Sequence, residues 1–157
     1  MPYLRRQRSG HIINIASIAG IAPGTGWAVY GASKYAVIGL SEVLAADVKE
    51  FGINVTVVAP GAFRTSFLTP ESLTLTDNPI SDYREVRASH CRYKNMNGLQ
   101  AGDPEKAATA MINVVYEENP PLYLLLGGDA YNRALTKLDG LYKEIHQWEN
   151  VTCSTDF

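Results

Sequence analysis

The sequence predicts an α/β fold in which helices cover a parallel β-sheet. Three short apolar runs, at residues 11–16, 53–59 and 122–126, alternate with longer segments of helical character. The chain has 157 residues, of which 46% are hydrophobic and 19% charged, so it can bury one core. Because parallel neighbours need a crossover, the alternation of strand and helix indicates right-handed βαβ units.

The first third of the chain predicts a strand, a loop and a long helix. The isoleucine-rich run 11–16 follows the turn signal Ser9-Gly10, and residues 18–26 contain three glycines and a proline. Helical periodicity then covers residues 27–51, and Gly52 suits the position just past a helix end. The predicted inward face of this helix comprises Val37, Leu40, Leu44, Val48 and Phe51.

The rest of the chain predicts two further strand–helix pairs. Residues 53–59 are rich in β-branched side chains and stop at a proline and a glycine. Residues 66–102 are polar and poorly periodic, which predicts a long loop with a short helix at about residues 81–89. Asp103 is expected to cap a helix reaching about residue 118. A strand at 122–126 and a last helix, capped by Asp129 and ending near Trp148, complete the pattern.

Composition excludes several functional classes. The formal net charge of −2 gives no electrostatic basis for binding nucleic acid or an anionic membrane. Two isolated cysteines and three dispersed histidines predict neither a disulfide framework nor a metal site. No run reaches the roughly 20 apolar residues of a membrane span. The start could be taken for a signal peptide, but Asn14 and Ser17 interrupt its apolar run. We therefore expect a cytoplasmic protein.

Three residues in the stretch SIAGIAPGTGWAVYGASK carry a possible chemistry. Tyr30 and Lys34 are four residues apart, which places both side chains on one face of a helix. A nearby ammonium favours the phenolate, which suits a general acid/base. Ser17 ends the first predicted strand, at the edge where ligands bind in parallel α/β sheets. Its hydroxyl can donate to a carbonyl oxygen or accept from an alcohol.

These residues resemble the second half of a short-chain dehydrogenase/reductase. The matching segments are INIAS at 13–17, YGASK at 30–34, INVTVVAPGAFRT at 53–65 and GDPEKAA at 102–108. The resemblance covers roughly residues 1–128 and implies a Rossmann-like sheet. It also implies an oxidoreductase that transfers hydride between NAD or NADP and an alcohol or ketone.

The resemblance assigns roles to individual positions. Tyr30 would be the acid/base, Lys34 would assist it and bond the nicotinamide ribose, and Ser17 would hold the substrate oxygen. The residues expected to hold the cofactor are Tyr30, Lys34, Pro60, Gly61, Phe63 and Thr65. Phe63 departs from the family, which usually has an aliphatic residue there. Residues 66–102 would form the substrate lid.

The family's glycine-rich cofactor fingerprint has one weak match. Gly20, Gly24 and Gly26 fit the GxxxGxG spacing, but the following strand lacks the acid that should hold the ribose. We interpret these glycines as the loop before Tyr30. The N-terminal cofactor-binding half of the domain is then absent from the sequence.

We therefore expect a single partial domain over residues 1–157. It comprises a catalytic strand–helix–strand at 1–65, the lid at 66–102 and a C-terminal helix–strand–helix at 103–157. The first strand would be an apolar sheet edge, so we also expect a homo-oligomer. Two alternatives to an active enzyme stay open: a catalytically incompetent remnant, and a module for binding or oligomerisation through its helices.

Overall fold

The computed structural model describes all 157 residues and has three strands and six α-helices. The strands are β1 (Gly10–Ile15), β2 (Ile53–Pro60) and β3 (Tyr123–Leu126). The helices are α1 (Pro2–Gln7), α2 (Ala28–Val48), α3 (Arg84–Asn95), α4 (Pro104–Asn113), α5 (Gly128–Gln147) and α6 (Glu149–Cys153). Short 3-10 turns follow β1, α2, β2 and α4.

The strands form one parallel sheet in the order β1-β2-β3. Gly10 of β1 is paired with Ile53 at the start of β2, and Pro60 at the end of β2 is paired with Leu126 of β3. The α/β class with a parallel sheet and flanking helices is thus confirmed. In this chain β1 is an edge strand, and the carboxyl ends of all three strands lie at the same end of the sheet.

Helix α2 covers one face of the sheet, and the predicted inward side is confirmed except at Leu40. Val37, Leu44 and Phe51 pack against buried residues of the core. Val48 is buried as expected, whereas Leu40 is 62% exposed. Ile38 and Ser41 are buried in its place, and the Ser41 hydroxyl is bonded both to Asn14 of β1 and to the Val37 carbonyl. The helix is apolar on most sides, so its periodicity identified the inward side without showing that Leu40 lies off it.

A polar chain crosses the opposite face of the sheet. The Thr56 hydroxyl donates to the Pro121 carbonyl at 2.6 Å and therefore accepts from His11 Nε2 at 2.8 Å. His11 Nδ1 is buried and has no partner. Burial lowers the pKa of His11 below its usual 6.5, because the charged imidazolium loses its hydration there.

The remaining helices differ from prediction mainly at their ends. The helix of the long central segment is α3, which begins and ends later than the predicted 81–89. Asp103 caps α4 as expected, through Glu105 N and Lys106 N, but α4 ends at Asn113. The prediction that Asp129 caps the last helix is wrong, because Gly127 occupies that position. None of the helices is both long and apolar enough to span a bilayer.

Candidate active site

Ser17 lies at the carboxyl end of β1, where the chain turns into a 3-10 helix. It is 9% exposed, and its Oγ accepts a hydrogen bond from Ala19 N at 3.1 Å. This bond fixes the side chain as the cap of the turn. Because Oγ acts there as an acceptor, the hydroxyl proton is left to donate to another group.

Tyr30 lies in the first turn of α2 and faces the same space as Ser17. Both residues line a cavity of about 550 Å³ whose other lining groups are mostly apolar. The Tyr30 ring is tilted against the ring of Phe67 with their centres 5.6 Å apart. Two of the three predicted catalytic residues therefore share one cavity at the carboxyl edge of the sheet.

Lys34 follows Tyr30 by one helical turn but is not among the residues that line the cavity. Its Nζ lies 5.9 Å from the centre of the Tyr30 ring and donates to the Ile15 carbonyl at 3.3 Å. The ammonium therefore bridges the end of β1 and the helix that carries Tyr30. Its charge is close to the phenol without a direct bond to it.

The loop after β2 is fixed to the last strand and helix. Gly61 N donates to Leu126 O at 2.9 Å, and Ala62 N donates to the Asp129 carboxylate at 2.8 Å. A Cβ on Gly61 would collide with that carboxylate, so the close approach requires glycine. Gly61 and Ala62 line the cavity, whereas Pro60, the last residue of β2, does not.

Phe63 and Thr65 have structural contacts outside the cavity. Phe63 forms an isolated parallel bridge with Gly102, and its ring lies where a Cβ on Gly102 or Gly127 would point. The Thr65 hydroxyl accepts from Phe67 N at 3.3 Å and caps the next 3-10 turn. The aromatic side chain that departs from the family pattern thus packs over two glycines.

The three glycines of the weak fingerprint face protein atoms. A Cβ on Gly20 would lie 2.6 Å from the Lys34 carbonyl oxygen, and one on Gly26 would lie 2.8 Å from His90 Nε2. Gly24 approaches Trp27 and the tyrosine of α3. Gly26 also has a φ of +83°, which favours glycine. These positions form the packed loop that leads into α2.

Several cavity residues were not predicted as site residues. Asp129 and Arg133 enter from α5, Phe67 from the turn after the loop, and Tyr93 from α3. Trp27, just before α2, also lines it. Only the position of Trp27 beside Tyr30 could have suggested such a role. The others come from segments distant in sequence.

Comparison with known proteins finds similarity to members of one family. A family model described as short chain dehydrogenase matches residues 1–75. Oxidoreductase BOA17 of Botryotinia fuckeliana is 32% identical over 155 residues, which is 99% of this chain and 56% of that protein.

Solved structures have a similar fold. A short-chain dehydrogenase from Streptomyces avermitilis matches with a TM-score of 0.87 and 37% identity, over 99% of this chain and 56% of that one. A short-chain dehydrogenase/reductase from Burkholderia phymatum, solved in complex with NAD, has a TM-score of 0.70 at 23% identity, over 93% of this chain and 52% of that one. The chain thus spans about half the length of the proteins that it matches.

Proposed function

Because this chain belongs to the short-chain dehydrogenase family, we propose that it carries the substrate site of an oxidoreductase that interconverts alcohols and carbonyl compounds. The observation that carries the proposal is the shared cavity of Ser17 and Tyr30. A cavity of about 550 Å³ suits a small organic substrate. Its lining leaves a hydroxyl and a phenol facing the same space.

Ser17, Tyr30 and Lys34 have different roles at the substrate oxygen. The Ser17 hydroxyl, whose Oγ already accepts from Ala19 N, donates its proton in a hydrogen bond to the carbonyl oxygen. The Tyr30 phenol gives a proton to that oxygen in reduction and takes it back in oxidation. The Lys34 ammonium, 5.9 Å from the ring centre, provides a positive charge beside Tyr30 during the transfer.

A nicotinamide dinucleotide, NAD or NADP, would supply the hydride when bound. The lining fits its nicotinamide end, because the backbone of Gly61 and Ala62 borders the same space as Ser17 and Tyr30. Tyr30 and Gly61, which line the cavity, would hold that end. Lys34, Pro60, Phe63 and Thr65, which the family resemblance also assigns to the cofactor, lie outside the lining. Gly20, Gly24 and Gly26 are packed against protein atoms and do not fit a pyrophosphate cradle. No residue of this chain is therefore assigned to the pyrophosphate or to the adenosine end of the dinucleotide.

The test is oxidation of NADH or NADPH by the purified chain in the presence of ketones. We expect Tyr30→Phe to lower kcat by about 10²–10⁴-fold, which is the usual contribution of a general acid. Tyr116→Phe is the matched control, because this tyrosine is 83% exposed and lies outside the cavity. Equal rates in the parent and Tyr30→Phe would refute the assignment of Tyr30. Absence of dinucleotide binding would favour the non-catalytic alternative.

A second candidate, self-association through helices, is supported by the surface of α2. Val29, Leu40 and Val43 are 86%, 62% and 62% exposed, although each is apolar. Such a surface is typical of a face that is covered in an assembly. Sedimentation velocity tests it, with Leu40→Lys expected to shift a homo-oligomer toward monomer. A parent chain that sediments as a monomer would exclude this candidate.

A further inference from the structure

The cavity has a second polar region formed by Trp27 and Tyr93. Trp27 is the residue immediately before α2, three positions ahead of Tyr30, and Tyr93 lies on α3. Both line the cavity together with Ser17 and Tyr30. The Trp27 Cδ1 atom, which is bonded to the indole nitrogen, and the Tyr93 hydroxyl each lie 3.4 Å from the point where a Cβ on Gly24 would be. The edge of the indole ring and the Tyr93 hydroxyl therefore border one small space beside Gly24.

The Trp27 ring is fixed by aromatic contacts. Its centre lies 4.9 Å from the His90 ring and 5.0 Å from the Tyr93 ring, with interplanar angles of 62° and 67°. His90 Nε2 in turn donates to the Gly26 carbonyl at 3.1 Å. Both aromatic contacts come from α3 and pack the indole ring against that helix.

The indole N–H nevertheless has no acceptor. Trp27 Nε1 is buried and makes no hydrogen bond in the chain. Most buried polar atoms in folded proteins have a partner, and a buried donor without one is costly. The edge-to-face contacts stabilise the ring but offer its N–H no oxygen. A ligand atom that accepts a hydrogen bond would satisfy it.

The rest of the lining defines the body of the ligand. Phe67, Leu68, Leu73 and Met96 give the cavity apolar walls. An apolar body joining two oxygen atoms matches this distribution, with one oxygen at Ser17 and Tyr30 and the other at Trp27 and Tyr93.

We propose that Trp27 and Tyr93 form an acceptor subsite that selects ketones and alcohols carrying a second oxygen acceptor, such as a carbonyl, on an apolar body. The inference rests on the proposed function, since it takes Ser17 and Tyr30 as the site of the reacting oxygen. Trp27 and Tyr93 act here as specificity residues, because they hold the far end of the substrate. A substrate without the second oxygen leaves the indole N–H without a partner.

The experiment compares linear methyl ketones with diketones of equal length that carry a methyl ketone at both ends, from about six to twelve carbons. Calorimetric titration gives the dissociation constant of each compound. One neutral hydrogen bond corresponds to roughly 3- to 10-fold in affinity. We expect the diketone of matching length to gain that preference over its monoketone in the parent chain.

The variants identify the groups responsible. Trp27→Phe keeps an aromatic ring without the N–H, and Tyr93→Phe removes only the hydroxyl. Each should reduce the diketone preference toward about 2-fold, the statistical advantage of a compound with two equivalent carbonyl groups. Gly24→Ala places a methyl group in the space between them in ordinary contact and should have the same effect. Tyr83→Phe, at a tyrosine that is 60% exposed and outside the cavity, is the matched control and should keep the preference.

Two results would overturn the inference, and they are distinguishable. A preference that does not exceed about 2-fold at any length, or a larger one that survives in both Trp27→Phe and Tyr93→Phe, refutes the subsite while leaving the ketone site intact. Failure of every ketone to bind refutes the proposed substrate class, and the subsite with it.

Discussion

Gly102→Ala should destabilise the chain by about 2–4 kcal/mol. A Cβ at this position would lie 2.6 Å from Phe63 Cδ1 and 2.7 Å from the Ala62 carbonyl oxygen, both closer than real Cβ contacts. Forcing a methyl group into packed space costs about 1–3 kcal/mol. Moving Ala62 O away would also break its 3.0 Å bond from Gly102 N, at a further cost of about 1 kcal/mol.

Urea denaturation measures this change, provided that the slope of the transition is unchanged. Gly140→Ala is the control, because nothing lies within 4 Å of its Cβ position on α5. That variant should be more stable by about 0.5–1 kcal/mol, as expected for alanine inside a helix. The reasoning fails if Gly102→Ala unfolds at the same urea concentration as the parent.

Three further predictions concern polar groups. Asp129→Ala removes the acceptor of Ala62 N and should cost about 0.5–1.5 kcal/mol in a urea titration, whereas Asp129→Asn should cost less because its amide oxygen can still accept. Because the pKa of His11 is lower in the folded chain than in the unfolded chain, the free energy of unfolding should fall as pH decreases below 6.5. Urea titrations at several pH values should show a smaller loss in His11→Gln. Burial and, second, the Glu42 carboxylate at 2.5 Å raise the pKa of Tyr123 to about 12. The protonated tyrosine should therefore stabilise the fold below pH 10, and this stabilisation should be lost as pH rises toward 12. A Tyr123→Phe variant whose stability falls at alkaline pH as in the parent would contradict this.

The strands and the longest helix were predictable because their signals are local. β-branched runs bounded by glycine or proline specify β1 and β2, and Gly52 has the left-handed conformation expected at a helix end, with a φ of 65°. The burial of Ser41 on α2 could not be predicted from the local pattern. Ser41 is buried because Asn14, on β1, provides a partner for its hydroxyl.

Some residues of the candidate site could also be predicted from local sequence, and others could not. Ser17 and Tyr30 were predictable because their positions follow from a strand end and a helix start that adjoin in sequence. Asp129 was assigned to its own helix, whereas its carboxylate accepts from Ala62, 67 residues earlier in the chain. Tyr93 likewise reaches the cavity only through the packing of α3 against Trp27. These contacts depend on the packing of segments that are distant in sequence, so a local sequence pattern cannot predict them.

The position of β1 at the edge of the sheet makes its amide protons a reporter of assembly. Ala16 N donates to Val58 O, and the two-residue period of a strand then directs the N–H groups of His11, Ile13 and Ile15 to the open side. In the isolated chain these three amides should exchange with deuterium far faster than their neighbours bonded to β2. Slow exchange at the three odd-numbered positions would identify a further strand paired with β1 and give its register.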